Sequence, residues 1–171
     1  NSGRTRVQGF DFDGKGRFNV LGQTVRLQFE GSYVWKLQTF SVTDNAYTQN
    51  EAGTFDYGSR LNVVAKAYLK QGDFDHAVTA NFASGYSTNS IDSPTYCVTQ
   101  KVAAQYMDTC GRVGSNTTWN YALTYTGIPH VRLSGYVDNV FARERPINWR
   151  GGWSTTSPQF RRFGFAASYS Y

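Results

Sequence analysis

The residues able to do chemistry in this chain are few and widely spaced. Its two histidines, His76 and His130, each stand beside a short turn segment, and no G-x-S-x-G nucleophile stretch accompanies them. A hydrolase would need a Ser–His pair within hydrogen-bond reach. The stretch "DFDGKG" (Asp11 to Gly16) starts like a calcium loop, but it lacks the later acidic ligands and lies in a strand-like segment. "NTT" at Asn116 matches a glycosylation sequon and carries no further argument. The residues therefore point to a protein that is not an enzyme, with no cofactor and no metal. Cys97 and Cys110 fall in one loop-like segment with no histidine near either. Metal binding would need more ligands. A disulfide stapling the loop is the better reading, implying an oxidising compartment and about 3 kcal/mol of loop-entropy stabilisation. What remains is recognition chemistry. Tyr47, Tyr57, Tyr96, Tyr106, Trp149 and Trp153 offer stacking surface outside the regular segments, with Arg150 nearby for an anion. Loop-to-loop packing uses the same rings equally well.

Composition narrows the setting. Tyr and Phe, 12 of each, dominate the apolar set, and 17 glycines suit strands with turns better than helices. No apolar run is long enough for a transmembrane helix, and the opening "NSGRTRVQGF" lacks the apolar region of a secretory signal. The formal net charge of +5 comes from cations scattered singly along strands. That favours a polar cavity or an anionic membrane surface over nucleic acid, for which no RNP-like or zinc-finger spacing is present.

The elements that position these residues announce themselves by period two. In "VRLQFEGSYVWKLQ", Val25, Leu27, Phe29, Gly31, Tyr33, Trp35 and Leu37 alternate with Arg26, Gln28, Glu30, Ser32, Lys36 and Gln38, with one slip at Val34. Similar alternation predicts strands near 5–19, 24–39, 60–71, 74–86, 117–126, 131–141 and 162–171. The connections alternate too: "VLGQ", "QGD" and "GIPH" are short, whereas 40–59, 87–116 and 142–161 are long. In an up-and-down meander, alternate connections share an edge. Tight turns on one edge, long loops on the other, and strands apolar on one face describe an outer-membrane β-barrel. Every backbone donor in lipid must be paired, so such a sheet closes on itself. A soluble β-sandwich whose second sheet covers the apolar face is the alternative, and it does not account for all the long loops lying on one edge.

On that reading Arg26, Glu30, Lys36, Lys66, Lys70, Arg132 and Asp138 face the lumen, where they either meet an internal partner or solvate the wall. The loop aromatics face outside, toward a ligand or lipopolysaccharide.

Near the end, "GYVDNVFARERPINW" followed by "RRFGFAASYSY" resembles the close of a TonB-dependent receptor, through Val137, Asp138, Asn139, Val140, Phe141, Arg143, Pro146, Arg162, Phe163, Gly164, Ser168, Tyr169 and Tyr171. "NSGRTRVQGFDFD" resembles an earlier strand of that family through Asn1, Gly3, Arg6 and Gly9. Phe163, Phe165, Tyr169 and Tyr171 resemble the terminal signal that the bacterial barrel-assembly machinery reads. The resemblance implies an all-β, antiparallel up-and-down transmembrane barrel in the outer membrane of a Gram-negative bacterium. Family barrels have about 22 strands, and the seven found here would enclose almost no lumen alone. Residues 1–171 are therefore expected to be the C-terminal portion of the barrel, with the plug domain and TonB-box segment elsewhere. The resemblance further implies import of a scarce ligand (ferric siderophore, haem, cobalamin, a nickel chelate or an oligosaccharide) energised by the inner-membrane TonB complex. Partners would be the plug, the remaining strands, the TonB complex and outer-membrane lipid. A passive porin or a structural or adhesive barrel is the alternative.

Overall fold

The computed structural model describes residues 4–54, 57–87, 112–143 and 160–170. Its backbone is antiparallel sheet, with no helix among the described residues. The long strands are β1 (Thr5–Val20), β2 (Gln23–Ser41), β4 (Leu61–Gln71), β5 (Phe74–Ala83), β8 (Asn116–Ile128), β9 (Val131–Asp138) and β10 (Arg162–Tyr169). They pair in chain order, β1-β2-β4-β5-β8-β9-β10. The short β3 (Ala46–Tyr47) pairs with β2, and β6 (Tyr86–Ser87) pairs with β7 (Arg112–Val113) in a second small sheet. The meander expected from alternation is present, strand for strand. Among the described residues β1 and β10 do not pair with one another, so these strands form an open wall.

The tight edge is built from two-residue turns. Leu21 (φ 50°) and Gly22 (φ 77°) both lie in the left-handed region, as a type I′ hairpin requires. Gly72 (φ 57°) turns β4 into β5. Between β8 and β9, Pro129 supplies the fixed first dihedral and His130 takes the positive one (φ 64°). The opposite edge holds the long connections. β9 stops at Asp138, three residues short of the expected strand end, because Asn139 adopts φ 51° and turns the chain out of the sheet.

Directly opposed residues in an antiparallel pair share a face. Following the register across the sheet collects Phe18, Val25, Leu27, Phe29, Leu69, Ala67, Val78, Tyr121, Leu123, Leu133, Val137, Phe163 and Phe165 on one face. No second layer covers it: Phe29 is 47% exposed and Phe165 73%. The fully buried residues among those described are Ala52, Val113 and Asn139, all outside the long strands. A soluble domain of this length hides most of its surface in a core, so the sandwich alternative finds no support here.

Aromatic rings cap the apolar face at both ends. Phe74 and Tyr125 (4.9 Å) and His130 and Tyr169 (6.1 Å) line the tight-turn end; Phe10 and Trp35 (6.1 Å) and Trp119 and Phe141 (6.4 Å) line the other. Phe10 to Phe18 spans about 26 Å along the strand, or about 20 Å after the usual tilt, close to the height of a membrane barrel's apolar band.

Within the sheet, rings also cover glycines. Phe29 lies over Gly14, Phe12 over Gly31 and Tyr136 over Gly164, each ring belonging to the residue opposite. A Cβ at Gly31 would meet both the Phe12 ring and the Asn62 carbonyl oxygen at 2.8 Å. Gly31→Val is therefore expected to lower stability by about 1–3 kcal/mol through overpacking. Denaturant titration of the full receptor checks this, with Gly135→Val as the contrast: a Cβ at Gly135 meets nothing nearer than 4.0 Å.

Candidate functional site

The other face of the sheet is polar. Its rows run across strands: Asp13 opposite Glu30; Lys15 opposite Gln28 and then Lys66; Arg17 opposite Arg26 and then Tyr68. On β1 and β2, Asp11, Asp13 and Glu30 lie nearer the long-loop edge, and Lys15, Arg17 and Arg26 nearer the tight-turn edge. Lys66 Nζ lies 3.8 Å from Glu30 Oε1, both side chains well exposed, so this ion pair contributes little by itself. The Arg26 guanidinium sits 5.4 Å from the Tyr68 ring. On the far strands Arg162 donates to Asp138 Oδ2 at 2.9 Å. Two head-on pairs carry like charges, Asp13 with Glu30 and Arg17 with Arg26. Such pairs destabilise a sheet unless water or an opposite charge meets them. The wall is therefore built to face a wet or complementary interior.

Of the residues expected on this face, Arg26, Glu30, Lys66, Lys70, Arg132 and Asp138 share it by register. Lys36 does not. Between Gln8 and Gly9 the register slips by one residue, and Trp35 is the extra one. A bulge of this kind reverses the phase of everything beyond it. Lys36 consequently lies opposite Gln8, on the side that carries Phe10. Asp11, Asp13, Lys15 and Arg17 join this wall, on the side of β1 opposite the phenylalanines, as its weaker alternation indicates. Gly14 and Gly16 blur that pattern because they contribute no side chain to the apolar count.

The rim is organised by hydrogen bonds. Asn50 bridges back to β2, accepting from the Leu37 N–H (3.0 Å) and donating to the Trp35 carbonyl (2.7 Å). Arg60 Nε donates to the Ala52 carbonyl (2.8 Å), and the Ser87 N–H donates to the Gly53 carbonyl (2.8 Å), locking the β2–β4 connection against β6. Tyr57 brings its hydroxyl to within 3.2 Å of Thr39 Oγ1. Thr39 lies opposite Thr5, in phase with Val7 and Gly9 and so on the polar side. Tyr47 goes the other way. It packs edge-on against Phe40 (5.3 Å) and lies under the Arg6 guanidinium (4.3 Å). Of the expected ligand-facing aromatics, Tyr57 thus sits at the inner mouth and Tyr47 on the outer side. Tyr96, Tyr106, Trp149, Arg150, Trp153, the Cys97–Cys110 pair and Tyr171 lie outside the described residues.

His76 Nδ1 lies 2.7 Å from the Tyr121 hydroxyl on the apolar face, and no group of His, Cys, Asp and Glu suited to a metal occurs among the described residues. Asn139 is the functional-motif residue whose role the sequence hid. Buried to 4% exposure, it donates through Nδ2 to the Arg143 carbonyl (3.0 Å), and its Oδ1 accepts from the Arg143 N–H (2.9 Å). Its own backbone N–H donates to Asn120 Oδ1 (3.0 Å).

An uncovered apolar face between aromatic girdles, a polar opposite face and loops gathered on one edge define the wall of a membrane β-barrel. A family model described as "TonB dependent receptor-like, beta-barrel" matches residues 1–140, and the chain belongs to that family. Family membership places it among outer-membrane transport receptors; in a membrane barrel an apolar face meets lipid, a polar face lines the lumen and long loops lie outside. No curated protein matches the chain.

Proposed function

We propose that this chain is the C-terminal portion of a barrel of about 22 strands, closed by strands from elsewhere in the receptor, that imports a scarce ligand using energy relayed by the TonB complex. The charged wall carries the proposal. Asp13 faces Glu30 and Arg17 faces Arg26 with no compensating group of their own row, which suits a lumen filled by a plug domain and water. The aromatic mouth at Tyr57 suits a ligand entering from outside. Ferric siderophore, haem, cobalamin and oligosaccharide are the ligand classes to compare. The reading assigns no catalysis to the chain.

Uptake of each class by cells expressing the full receptor, with and without a working TonB complex, tests this. Uptake of one class is expected to fall to background when TonB is lost. Uptake that persists without TonB would favour a passive porin instead.

A further inference from the structure

The Trp35 bulge has a chemical consequence at the outer rim. Beyond it, the outward face of β1 and β2 continues with Arg4, Arg6 and Gln8 facing Phe40, Gln38 and Lys36. The Phe40 N–H donates to the Arg4 carbonyl, carrying the ladder one pair beyond Thr5. Lys36 is the diagonal neighbour of Arg6, about 7–8 Å away across the two strands. Three cations therefore cluster on the lipid side, just above the Phe10–Trp35 girdle, at the level of the outer headgroups.

Two features distinguish this cluster from a merely solvated rim. No carboxylate pairs with any of the three among the described residues; Asp44, in the turn beyond, accepts from Ser41 Oγ instead (2.7 Å). The two guanidinia are also ordered by rings, Arg4 over Phe40 (5.9 Å) and Arg6 over Tyr47 (4.3 Å). A ring partner, unlike a carboxylate, leaves the guanidinium N–H groups able to donate to phosphate oxygens. Below the cations, Phe10, Phe12 and Phe29 continue the apolar face where acyl chains would run.

We infer that Arg4, Arg6 and Lys36 form a binding site for the phosphate groups of an outer-leaflet glycolipid, whose acyl chains lie along the apolar face of β1 and β2. This rests on the outer-membrane barrel reading and assigns it a specific lipid contact.

The test uses the full receptor, purified and placed in phosphatidylcholine bilayers with lipid A or dephosphorylated lipid A, with bound lipid measured by native mass spectrometry. Arg4→Gln/Arg6→Gln/Lys36→Gln is compared with the unaltered receptor, and Arg4→Lys/Arg6→Lys serves as the charge-retaining variant. A cation near an anionic surface contributes roughly a fivefold preference, so the triple variant is expected to bind lipid A on the order of 10- to 100-fold more weakly. The lysine variant keeps the charge but loses the guanidinium fork, so it should bind more weakly than the unaltered receptor and more tightly than the triple variant, and dephosphorylated lipid A should bind every protein weakly. Inorganic phosphate at millimolar concentration should not displace lipid A. Unchanged lipid A binding by a correctly inserted triple variant, or equal binding of the dephosphorylated lipid by the unaltered receptor, overturns the site alone. A receptor that fails to insert into bilayers overturns the barrel reading beneath it.

Discussion

Val78→Arg is expected to destabilise the membrane-inserted receptor by about 2–4 kcal/mol, whereas Ala77→Arg, one residue away, changes stability by less than about 1 kcal/mol. Val78 lies midway between Phe74 and Phe82 on the outward face, opposite Ala67 on one side and Tyr121 on the other. A guanidinium there sits at mid-depth in hydrocarbon and recovers only part of the cost by reaching toward an interface. Ala77 lies opposite Tyr68 and Ala122 on the inward face, where a cation joins Arg17 and Arg26 in a wet lumen. Denaturant titration of the two variants in lipid vesicles measures the difference. Equal losses would mean that the two faces see the same medium.

Asn139→Leu is expected to cost about 3 kcal/mol and to loosen the connection that follows β9. Two contributions add. A leucine in the left-handed region costs about 1–2 kcal/mol that asparagine largely avoids. The N–H and carbonyl of Arg143 also lose the side chain that satisfies both, at about 1 kcal/mol each. Asn139→Gly separates the two, because it relieves the dihedral and still loses the hydrogen bonds; it should cost about 2 kcal/mol. Thermal unfolding together with limited proteolysis after Phe141 reads both effects. A leucine variant as stable as the glycine variant would remove the dihedral argument.

The wall was legible in the sequence because a strand sends alternate side chains to opposite sides. The alternation of Val25, Leu27 and Phe29 with Arg26, Gln28 and Glu30 needed no tertiary information. The edge assignment followed from connection lengths alone. Two features escaped for the same reason: alternation cannot see where a ladder gains or loses a residue. The slip noted at Val34 is the Trp35 bulge, and it moved Lys36 from the lumen to the lipid side. Val137, Asn139 and Phe141 keep a period-two spacing, so the strand seemed to continue where a left-handed Asn139 ends it. The loop aromatics were legible only as a set. Tyr47 and Tyr57 part company through contacts distant in sequence, Tyr47 with Arg6 and Tyr57 with Thr39. Nothing local to either tyrosine encodes that choice.

A membrane wall requires β8 to send alternate side chains to lipid and to the lumen. The direct measurement is site-directed spin labelling of single cysteines at residues 118–125 in the full receptor in bilayers, with Cys97 and Cys110 replaced. Each label is read for collision with lipid-soluble oxygen and with a water-soluble nickel complex. Labels at Trp119, Tyr121, Leu123 and Tyr125 should meet oxygen, and those at Thr118, Asn120, Ala122 and Thr124 should not, in strict alternation. Uniform shielding of all eight from both relaxers would place the strand in a compact soluble core and contradict the account.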